Sequence, residues 1–368
     1  MLAADDNLVV VNSCAVTAEA VRQTRQTIRR ARRARPDARL LVTGCAAEIE
    51  REAIAAMPEV DGLVANDTKL DPRAWNAPAA SAAPLASERY SRAFVQVQNG
   101  CDHACTFCVI PRGRGGSRSR DIADVCREVA AHLEAGCREV VLTGVDLSSW
   151  EKDRERLGDL VAVILSTFPQ LQRLRLSSID GAEIDPRLFE LIAGEPRVMP
   201  HLHLSLQSGD DMILKRMKRR HTRADTIALV TALRARRPDI AVGADLIAGF
   251  PTEDAAMHTA NRSIIAELGL VHGHVFPYSP RPGTPAARMP QVDRGTVKAR
   301  AAELREAVAS ERRRWLASLV GESLSVLAER DGTGHSPCFA PVRLPDGVAA
   351  GEIVEIRPAR LVEGILQP

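Results

Sequence analysis

The chain has 368 residues, of which 45% are hydrophobic and 26% charged, an ordinary globular balance that excludes a mainly disordered or fibrous protein. Forty-nine basic residues nearly cancel 47 acidic ones, which leaves a formal charge of +2, so the bulk charge neither indicates nor excludes a nucleic-acid partner. No apolar run approaches the ~20 residues of a membrane span, and residues 1–6 lack a secretory signal pattern, so we expect a cytoplasmic protein without a membrane partner.

The first segment, residues 1–70, is predicted to be a small α/β domain. Strands are expected at Leu8–Val11 and Leu40–Thr43, with a helix between them and a second helix over Ala46–Ala56. Alternating strands and helices favour a parallel sheet. The eight arginines from Arg22 to Arg39 are either a solvated helix face or a surface that contacts phosphates.

Residues 71–92 are rich in Ala, Pro and Ser and are predicted to be a linker. Between residues 93 and 320, six βα units predict a parallel barrel or part of one. Its strands are expected at Phe94–Val97, Glu139–Thr143, Arg173–Ser177, His201–Leu206, Ala241–Ile247 and Leu270–Phe276. Residues 321–368 predict a small all-β module. Its strands are expected at Ser323–Glu329, Cys338–Leu344, Glu352–Arg357 and Arg360–Leu366.

The most informative feature is a cluster of three cysteines, Cys101, Cys105 and Cys108, spaced as C-x3-C-x2-C directly after a predicted strand. Three thiolates on one loop can hold three irons of a [4Fe–4S] cluster and leave the fourth iron open to a ligand. A structural zinc site would need a fourth ligand, for which His103 is the nearest histidine. Packing as core residues is the other alternative, and it is expected for the isolated cysteines Cys126, Cys137 and Cys338.

The triad spacing, together with Phe107 just before the last cysteine, resembles the signature of the radical S-adenosylmethionine enzymes. The resemblance implies a partial (β/α)6 barrel with its site at the carboxyl ends of the strands. It also implies that the three cysteines hold a [4Fe–4S] cluster whose open iron binds S-adenosyl-L-methionine. An electron from the reduced cluster then breaks the sulfonium bond and releases a 5′-deoxyadenosyl radical. A flavodoxin or a ferredoxin is the kind of donor that would supply this electron.

Two further cysteines narrow the resemblance. The stretches Asn12–Thr17 and Thr43–Cys45 place Cys14 and Cys45 at the ends of predicted parallel strands, where an open α/β sheet forms its crevice. They look like the N-terminal domain of the methylthiotransferases, which holds a second, auxiliary [4Fe–4S] cluster with three cysteines. The third family cysteine precedes Asn12, so we expect a truncated or misassigned start, or an incomplete auxiliary cluster with little sulfur insertion.

The barrel and the terminal module carry further family motifs. The matching barrel stretches are Leu142–Asp146, Arg175–Asp180, His201–Gly209, Gly243–Pro251 and Val275–Thr284. The terminal module resembles a TRAM domain, a small OB-like RNA-binding β barrel. From the resemblance, the candidates for binding the nucleoside and methionine ends of S-adenosyl-L-methionine are Phe107, Thr143, Gly144, Ser177, Ser178 and Gln207.

Within the family, Asp102–Gly116 and Lys215–His221 resemble the enzymes that act on N6-threonylcarbamoyladenosine at position 37 of tRNA. The implied reaction replaces the C2 hydrogen of that adenosine, in the anticodon stem-loop, with a methylthio group. Enzymes acting on isopentenyladenosine are the nearest alternative, and those acting on a ribosomal-protein aspartate fit less well. A truncated, non-catalytic RNA-binding paralogue is the competing interpretation from another class.

Other polar residues carry weaker expectations. The stretch Lys215–Arg223 holds six Lys/Arg and one His after the fourth barrel strand and is a candidate RNA contact. His201 and His203 alternate in that strand and are expected to be packed polar residues. Asp245, in the fifth strand, is either structural or a contact of the cofactor.

Overall fold

The computed structural model describes residues 7–69, 71–75 and 91–368. Most of the predicted linker, residues 76–90, lies outside the described residues. The chain divides into two compact units. The first consists of Met1–Pro84, Gly100–Ser117 and Ser279–Met289, and the second of Leu85–Asn99, Arg118–Tyr278 and Pro290–Pro368. The domain boundaries predicted at residues 70, 92 and 320 stay predictions.

Strands and helices alternate through most of the described chain. The strands are β1 Leu8–Ser13, β2 Arg39–Gly44, β3 Gly62–Leu63, β4 Arg92–Gln96, β5 Gln98–Asn99, β6 Arg118–Ser119, β7 Glu139–Thr143, β8 Glu151–Lys152, β9 Glu155–Arg156, β10 Arg173–Leu176, β11 Ser178–Ile179, β12 His201–Gln207, β13 Ala241–Ala248, β14 Leu270–Pro277, β15 Leu324–Ala328, β16 Thr333–His335, β17 Pro341–Arg343, β18 Ile353–Ile356, β19 Arg360–Val362 and β20 Ile365–Gln367. The α-helices are α1 Ala18–Ala34, α2 Cys45–Ile49, α3 Arg51–Ala55, α4 Ile110–Arg114, α5 Ile122–Glu134, α6 Leu157–Thr167, α7 Pro186–Gly194, α8 Asp211–Met217, α9 Arg223–Arg236, α10 Ala255–Glu267 and α11 Arg294–Ser318. No helix among these residues is long and apolar enough to cross a membrane.

The first unit contains the predicted parallel sheet, with strand order β1-β2-β3. The short third strand was not predicted, and the predicted helix Ala46–Ala56 is two helices, because the backbone at Glu50 (φ −115°, ψ 37°) leaves the helical conformation between α2 and α3. Thr17 caps α1 by accepting a hydrogen bond from the Ala20 amide, which satisfies one of the free N–H groups of the first turn. Strand β1 lies at the edge of this sheet, with Val10 36% exposed.

The second unit contains the predicted partial barrel. Its parallel pairs run in the orders β10-β7-β4 and β11-β12-β13-β14, and only Ser177 separates β10 from β11. The six predicted strands are therefore present in sequential order, which is the order of a βα barrel. Alternate residues such as Leu202, Leu204 and Leu206 join the apolar core under the helices, so the intervening polar residues of the same strands line the inner face.

The C-terminal module closes the amino-terminal end of the barrel. Phe339 stacks on His335, with ring centroids 4.4 Å apart, and the guanidinium of Arg175 lies 4.7 Å from its ring centroid. Buried Glu139 at the start of β7 accepts hydrogen bonds from Arg92 at 2.6 Å and from Arg175 at 3.1 Å. Since Arg175 also donates to the Pro337 carbonyl at 3.0 Å, one carboxylate connects three barrel strands to the module.

The module itself is a six-stranded sheet with the order β18-β15-β16-β17-β20-β19. Strand β16 was not predicted. The predicted strand Arg360–Leu366 is instead the hairpin β19–β20, because Glu363 and Gly364 both have positive φ, 49° and 79°, which is the backbone of a tight two-residue turn. The module shares an apolar core with Val271 and with Leu316 of α11.

Replacing Glu139 with Gln is expected to destabilise the second unit by about 3–5 kcal/mol, because it leaves a buried arginine cluster without its counter-charge. Although burial favours the neutral acid, Arg175 and Arg92 lower the pKa of Glu139. The stabilisation by the ionised carboxylate is therefore fully present above the pKa of an ordinary glutamate, and it is lost as the pH falls through the lowered pKa of Glu139. Urea unfolding followed by circular dichroism measures the change. Exposed Glu134→Gln is the matched control, and equal unfolding midpoints for both variants would contradict the account.

Candidate functional site

The three triad cysteines lie on one irregular loop of the first unit, between Gly100 and α4. Gly100 has φ +78°, and a Cβ there would lie 1.9 Å from the Gly116 carbonyl oxygen, so only glycine allows the entry and exit of the loop to approach this closely. The Cys101 amide donates to the Gly115 carbonyl at 3.1 Å, and the Ser117 amide donates to Asp102 at 3.0 Å. The loop is thus closed by hydrogen bonds across its base.

The other side of the loop is held by residues 279–289. The Ala286 amide donates to the carbonyl of buried Thr106 at 2.9 Å. Arg112 of α4 donates to the Pro282 carbonyl at 2.7 Å. These two contacts fix the backbone between Cys105 and Cys108 and the helix that follows it.

The donor set of the loop fits a [4Fe–4S] cluster. Cys101, Cys105 and Cys108 are all of intermediate exposure, so the loop presents three cysteine side chains near the protein surface. Two backbone amides already point at sulfur: His103 N–H lies 3.4 Å from Cys101 Sγ, and Ile110 N–H lies 3.4 Å from Cys108 Sγ. Such N–H···S hydrogen bonds are among the levers that set the reduction potential of a cluster.

Cys14 and Cys45 each follow a neighbouring strand of the N-terminal sheet. Strands β1 and β2 pair in parallel up to Ser13 opposite Gly44, so both cysteines begin at the same sheet edge. The backbones of the two strands approach closely at this edge, since a Cβ on Gly44 (φ +97°) would lie 2.2 Å from the Ser13 carbonyl oxygen. Cys14 is exposed and Cys45 is buried, and both are free thiols.

Two polar residues at Cys45 were missed by the sequence analysis. The Arg114 guanidinium donates to Cys45 Sγ at 3.2 Å. The Asn66 amide donates to Cys45 Sγ at 3.9 Å and to the Gly113 carbonyl at 2.6 Å. Gly113 permits this packing, because a Cβ there would lie 3.1 Å from that of Cys45. The helix that follows the cysteine triad therefore packs on the helix that begins with Cys45.

The barrel candidates in the second unit share the carboxyl edge of its sheet. Thr143 ends β7, Gly144 follows it, and Ser177 and Ser178 lie at the break between β10 and β11. Gln207 ends β12 with φ +70°. The Ser177 hydroxyl is buried and lacks a hydrogen-bond partner among the described residues, which suits contact with a polar ligand. Phe107, the remaining candidate, lies in the cysteine loop of the first unit.

A second polar group lies on the inner face of the barrel. His203 Nε2 and His274 Nδ1 each lie 3.1 Å from the same Asp245 oxygen. Although burial disfavours the charge, these hydrogen bonds lower the pKa of Asp245 to about 2, and the bond to Asp245 raises the pKa of His274. His203 is buried, as expected of a packed polar residue, while the His274 side chain is 66% exposed. The inner face therefore presents a polar, partly charged wall to a ligand.

The basic stretches have extensive internal partners. On α1, Arg32 donates to the Glu59 and Ala38 carbonyls, and in the stretch Lys215–Arg223, Arg219 pairs with Asp180 at 2.9 Å. Lys215 and Lys218 are exposed, so RNA contact by this stretch stays a prediction. Cys137 and Cys338 are buried, as expected for core residues, and Cys126 is of intermediate exposure.

Comparison with known sequences extends these observations to a family. Residues 95–261 match the Radical SAM superfamily, and residues 3–65 match Uncharacterized protein family UPF0004. Threonylcarbamoyladenosine tRNA methylthiotransferase MtaB of Rickettsia prowazekii is 43% identical over 98% of this chain and 90% of its own. A tRNA-2-methylthio-N(6)-dimethylallyladenosine synthase of Cereibacter sphaeroides is 33% identical over 97% of this chain and 88% of its own.

Solved structures resemble the chain in fold. The radical S-adenosylmethionine methyltransferase TsrM of Kitasatospora setae, solved with cobalamin and a [4Fe-4S] cluster, matches with a TM-score of 0.56 and 18% identity, over 76% of this chain and 66% of that chain. Its structure with tryptophan substrate and an S-adenosylmethionine analogue gives a TM-score of 0.57 over 76% of this chain and 63% of that chain. Full-length sequence similarity and the triad loop lead to the same assignment: the chain belongs to the radical S-adenosylmethionine methylthiotransferase family.

Proposed function

We propose that this enzyme adds a methylthio group to C2 of N6-threonylcarbamoyladenosine at position 37 of tRNA. The observation that carries the proposal is the 43% identity, over 98% of the chain, to a relative named for threonylcarbamoyladenosine tRNA methylthiotransfer. The loop that presents Cys101, Cys105 and Cys108 supports the radical chemistry this reaction needs, since a C2–H bond of an adenine ring is not acidic enough for simple proton abstraction by a side chain.

Cys101, Cys105 and Cys108 hold the radical-generating [4Fe–4S] cluster in this proposal. When bound, the cluster supplies the electron that cleaves the sulfonium bond of S-adenosyl-L-methionine. The chain's own contribution is to keep the loop in one conformation, through the Gly100–Gly116 approach and the amide bonds to the sulfurs of Cys101 and Cys108. Its partly exposed thiols also leave room for a ligand at the open iron.

Cys14 and Cys45 are the proposed protein ligands of the auxiliary [4Fe–4S] cluster. The parallel pairing of β1 and β2 places them at one sheet edge. Arg114 donates a hydrogen bond to the sulfur of Cys45 at 3.2 Å, which holds that side chain at the sheet edge where the cluster would bind. Arg114 is thus a positioning residue for this ligand.

The carboxyl edge of the barrel is the proposed binding site for the two organic ligands. In the second unit, the proposed contacts of S-adenosyl-L-methionine are Thr143, Gly144, Ser177, Ser178 and Gln207. Phe107 is the candidate contact that the first unit supplies. The unpartnered Ser177 hydroxyl and the polar group around Asp245 supply donors and acceptors for a nucleoside. A barrel whose opposite end is closed by Phe339 leaves this edge as the open one.

The remaining partners follow from the proposed chemistry. The tRNA anticodon stem-loop is the substrate, the cytoplasm is the compartment that supplies it, and a flavodoxin or a ferredoxin donates the electron. The C-terminal module is proposed to bind RNA, with Arg343, Arg357 and Arg360 exposed on it. Methylthiolation of isopentenyladenosine remains the alternative substrate assignment, because a relative named for dimethylallyladenosine is 33% identical.

Substrate choice is tested by supplying both nucleosides in RNA. Anaerobically reconstituted enzyme, S-adenosyl-L-methionine, sulfide and a reductant are incubated with anticodon stem-loops bearing N6-threonylcarbamoyladenosine or isopentenyladenosine, and nucleosides are measured by mass spectrometry. We expect the methylthio product on the threonylcarbamoyl substrate, at a rate at least tenfold above the other, since an unmatched polar group in a binding site costs about that much. Product on isopentenyladenosine alone would reassign the substrate. Product on neither, with 5′-deoxyadenosine still formed, would indicate an incomplete auxiliary cluster, and product on neither without 5′-deoxyadenosine would favour the non-catalytic interpretation.

Replacing Cys101, Cys105 and Cys108 together with Ala is expected to abolish cleavage of S-adenosyl-L-methionine, because no thiolates remain to hold the cluster. The readouts are bound iron and 5′-deoxyadenosine formed with dithionite as the electron source. Cys126→Ala, a cysteine away from both cluster sites, is the matched control and should retain both signals. Continued 5′-deoxyadenosine formation by the triple variant would refute the assignment of the triad.

The RNA role of the module is tested by surface substitutions, because deleting it would expose the core it shares with Val271 and Leu316. The combined change of Arg343, Arg357 and Arg360 to Gln is expected to weaken binding of an anticodon stem-loop and to flatten its salt dependence, as fewer counterions are released. Cleavage of S-adenosyl-L-methionine without RNA should stay at the wild-type rate. Unchanged affinity and salt dependence would remove the module from the RNA-binding surface.

A further inference from the structure

A basic cavity of about 390 Å³ lies in the first unit, and the proposed chemistry does not use it. Four arginines, Arg22, Arg25, Arg29 and Arg281, line it together with one carboxylate, that of Glu50. The residues that line the cavity carry an excess of positive charge, although just outside it Glu19 pairs with Arg22 at 2.7 Å and Glu59 lies 3.8 Å from Arg29. The first turn of α1 also borders it at Ala18 and Val21, and the N-terminal end of a 17-residue helix adds a partial positive charge.

Arg281 is the unusual member of this group. Its side chain is only 4% exposed, yet Nε and Nη2 have no hydrogen-bond partner among the described residues. Its nearest counter-charge is Glu50 Oε1, 3.6 Å from Nη2, which is beyond hydrogen-bond distance. Burying a guanidinium whose donors lack acceptors costs folding free energy. An anion that enters the cavity would supply those acceptors, so Arg281 is the candidate anion ligand.

The other arginines extend the site along one face of α1. Arg22, Arg25 and Arg29 are spaced three and four residues apart, so they lie on the same side of the helix over a length of about 10 Å. Their side chains are 65%, 39% and 55% exposed, and Arg25 Nε is also without a partner among the described residues. A stripe of exposed cations leading to one buried cation matches a chain of phosphates better than a single free anion.

We propose that this cavity binds a backbone phosphodiester of the RNA substrate, with Arg281 and Arg25 as the phosphate donors and Glu50 as the carboxylate that competes with the phosphate for both arginines. The inference rests on the proposed function for the presence of an RNA partner. It adds a phosphate contact in the N-terminal unit, where arginines present paired donors to phosphate oxygens.

The test measures binding of a fluorescent anticodon stem-loop to the full reconstituted chain across a range of KCl concentrations. Arg281→Gln and Arg25→Gln should each weaken binding about tenfold, the loss expected for a charge-assisted hydrogen bond, and should reduce the slope of log affinity against log salt by about 0.7–0.9. Arg33→Gln, on the same helix but outside the cavity, is the matched control and should change neither quantity.

A second variant guards against simple misfolding. Glu50→Gln removes the one carboxylate among the described residues that line the cavity and should raise RNA affinity, a gain that an unfolded protein cannot produce. The neighbouring exposed Glu52→Gln makes the same charge change outside the cavity and should raise affinity less. Equal effects of Glu50→Gln and Glu52→Gln would overturn the proposal.

Two further outcomes separate this inference from the proposed function. If the wild-type chain binds the stem-loop and both cavity arginine variants match it, the phosphate site is wrong while the proposed function stands. If the wild type does not bind RNA, the proposed function fails as well. The last experiment measures binding of inorganic phosphate by calorimetry. If phosphate binding depends on Arg281 but RNA binding does not, the cavity is a site for free anions, and the RNA assignment is overturned.

Discussion

Parallel pairing of neighbouring strands is the constraint on which the rest of the structure depends. Because β1 and β2 run in the same direction and end together at Ser13 and Gly44, Cys14 and Cys45 reach one sheet edge. Because the six barrel positions are also parallel, Thr143, Ser177 and Gln207 reach one edge of the second unit. Side chains far apart in sequence are therefore gathered without any loop having to carry them across a sheet.

Parallel strands also place all the amino-terminal strand ends at the opposite end of the barrel. The C-terminal module covers that end through a buried ion-pair cluster as well as through apolar contacts. Glu139 pairs with Arg92 and Arg175, which lie on the two strands that flank its own, and Phe339 covers both guanidinium groups. The C-terminal module is thus an integral part of the second unit as well as a candidate RNA-binding surface. The end of the barrel that the module does not cover is the carboxyl edge, where the proposed ligand contacts lie.

Periodicity predicted the strands of the barrel, and the spacing of Cys101, Cys105 and Cys108 predicted that they share one loop after a strand, because both features depend on residues close together in the sequence. They did not predict β16 or the break of Arg360–Leu366 into a hairpin, since three-residue strands carry too little alternation to recognise. They also missed Arg114 and Asn66 at Cys45 and Arg281 in the basic cavity. These residues act through contacts across 21 to 231 positions of sequence, and only the folded chain brings such partners together.

The central claim is that the 5′-deoxyadenosyl radical formed at the triad loop abstracts the hydrogen atom from C2 of the modified adenosine. The most direct measurement uses an anticodon stem-loop whose N6-threonylcarbamoyladenosine carries deuterium at C2, with mass spectrometry of the 5′-deoxyadenosine that is released. The account predicts that product formation transfers one deuterium into 5′-deoxyadenosine and that an RNA lacking the modified adenosine transfers none. Methylthio product accompanied by 5′-deoxyadenosine without deuterium would contradict it.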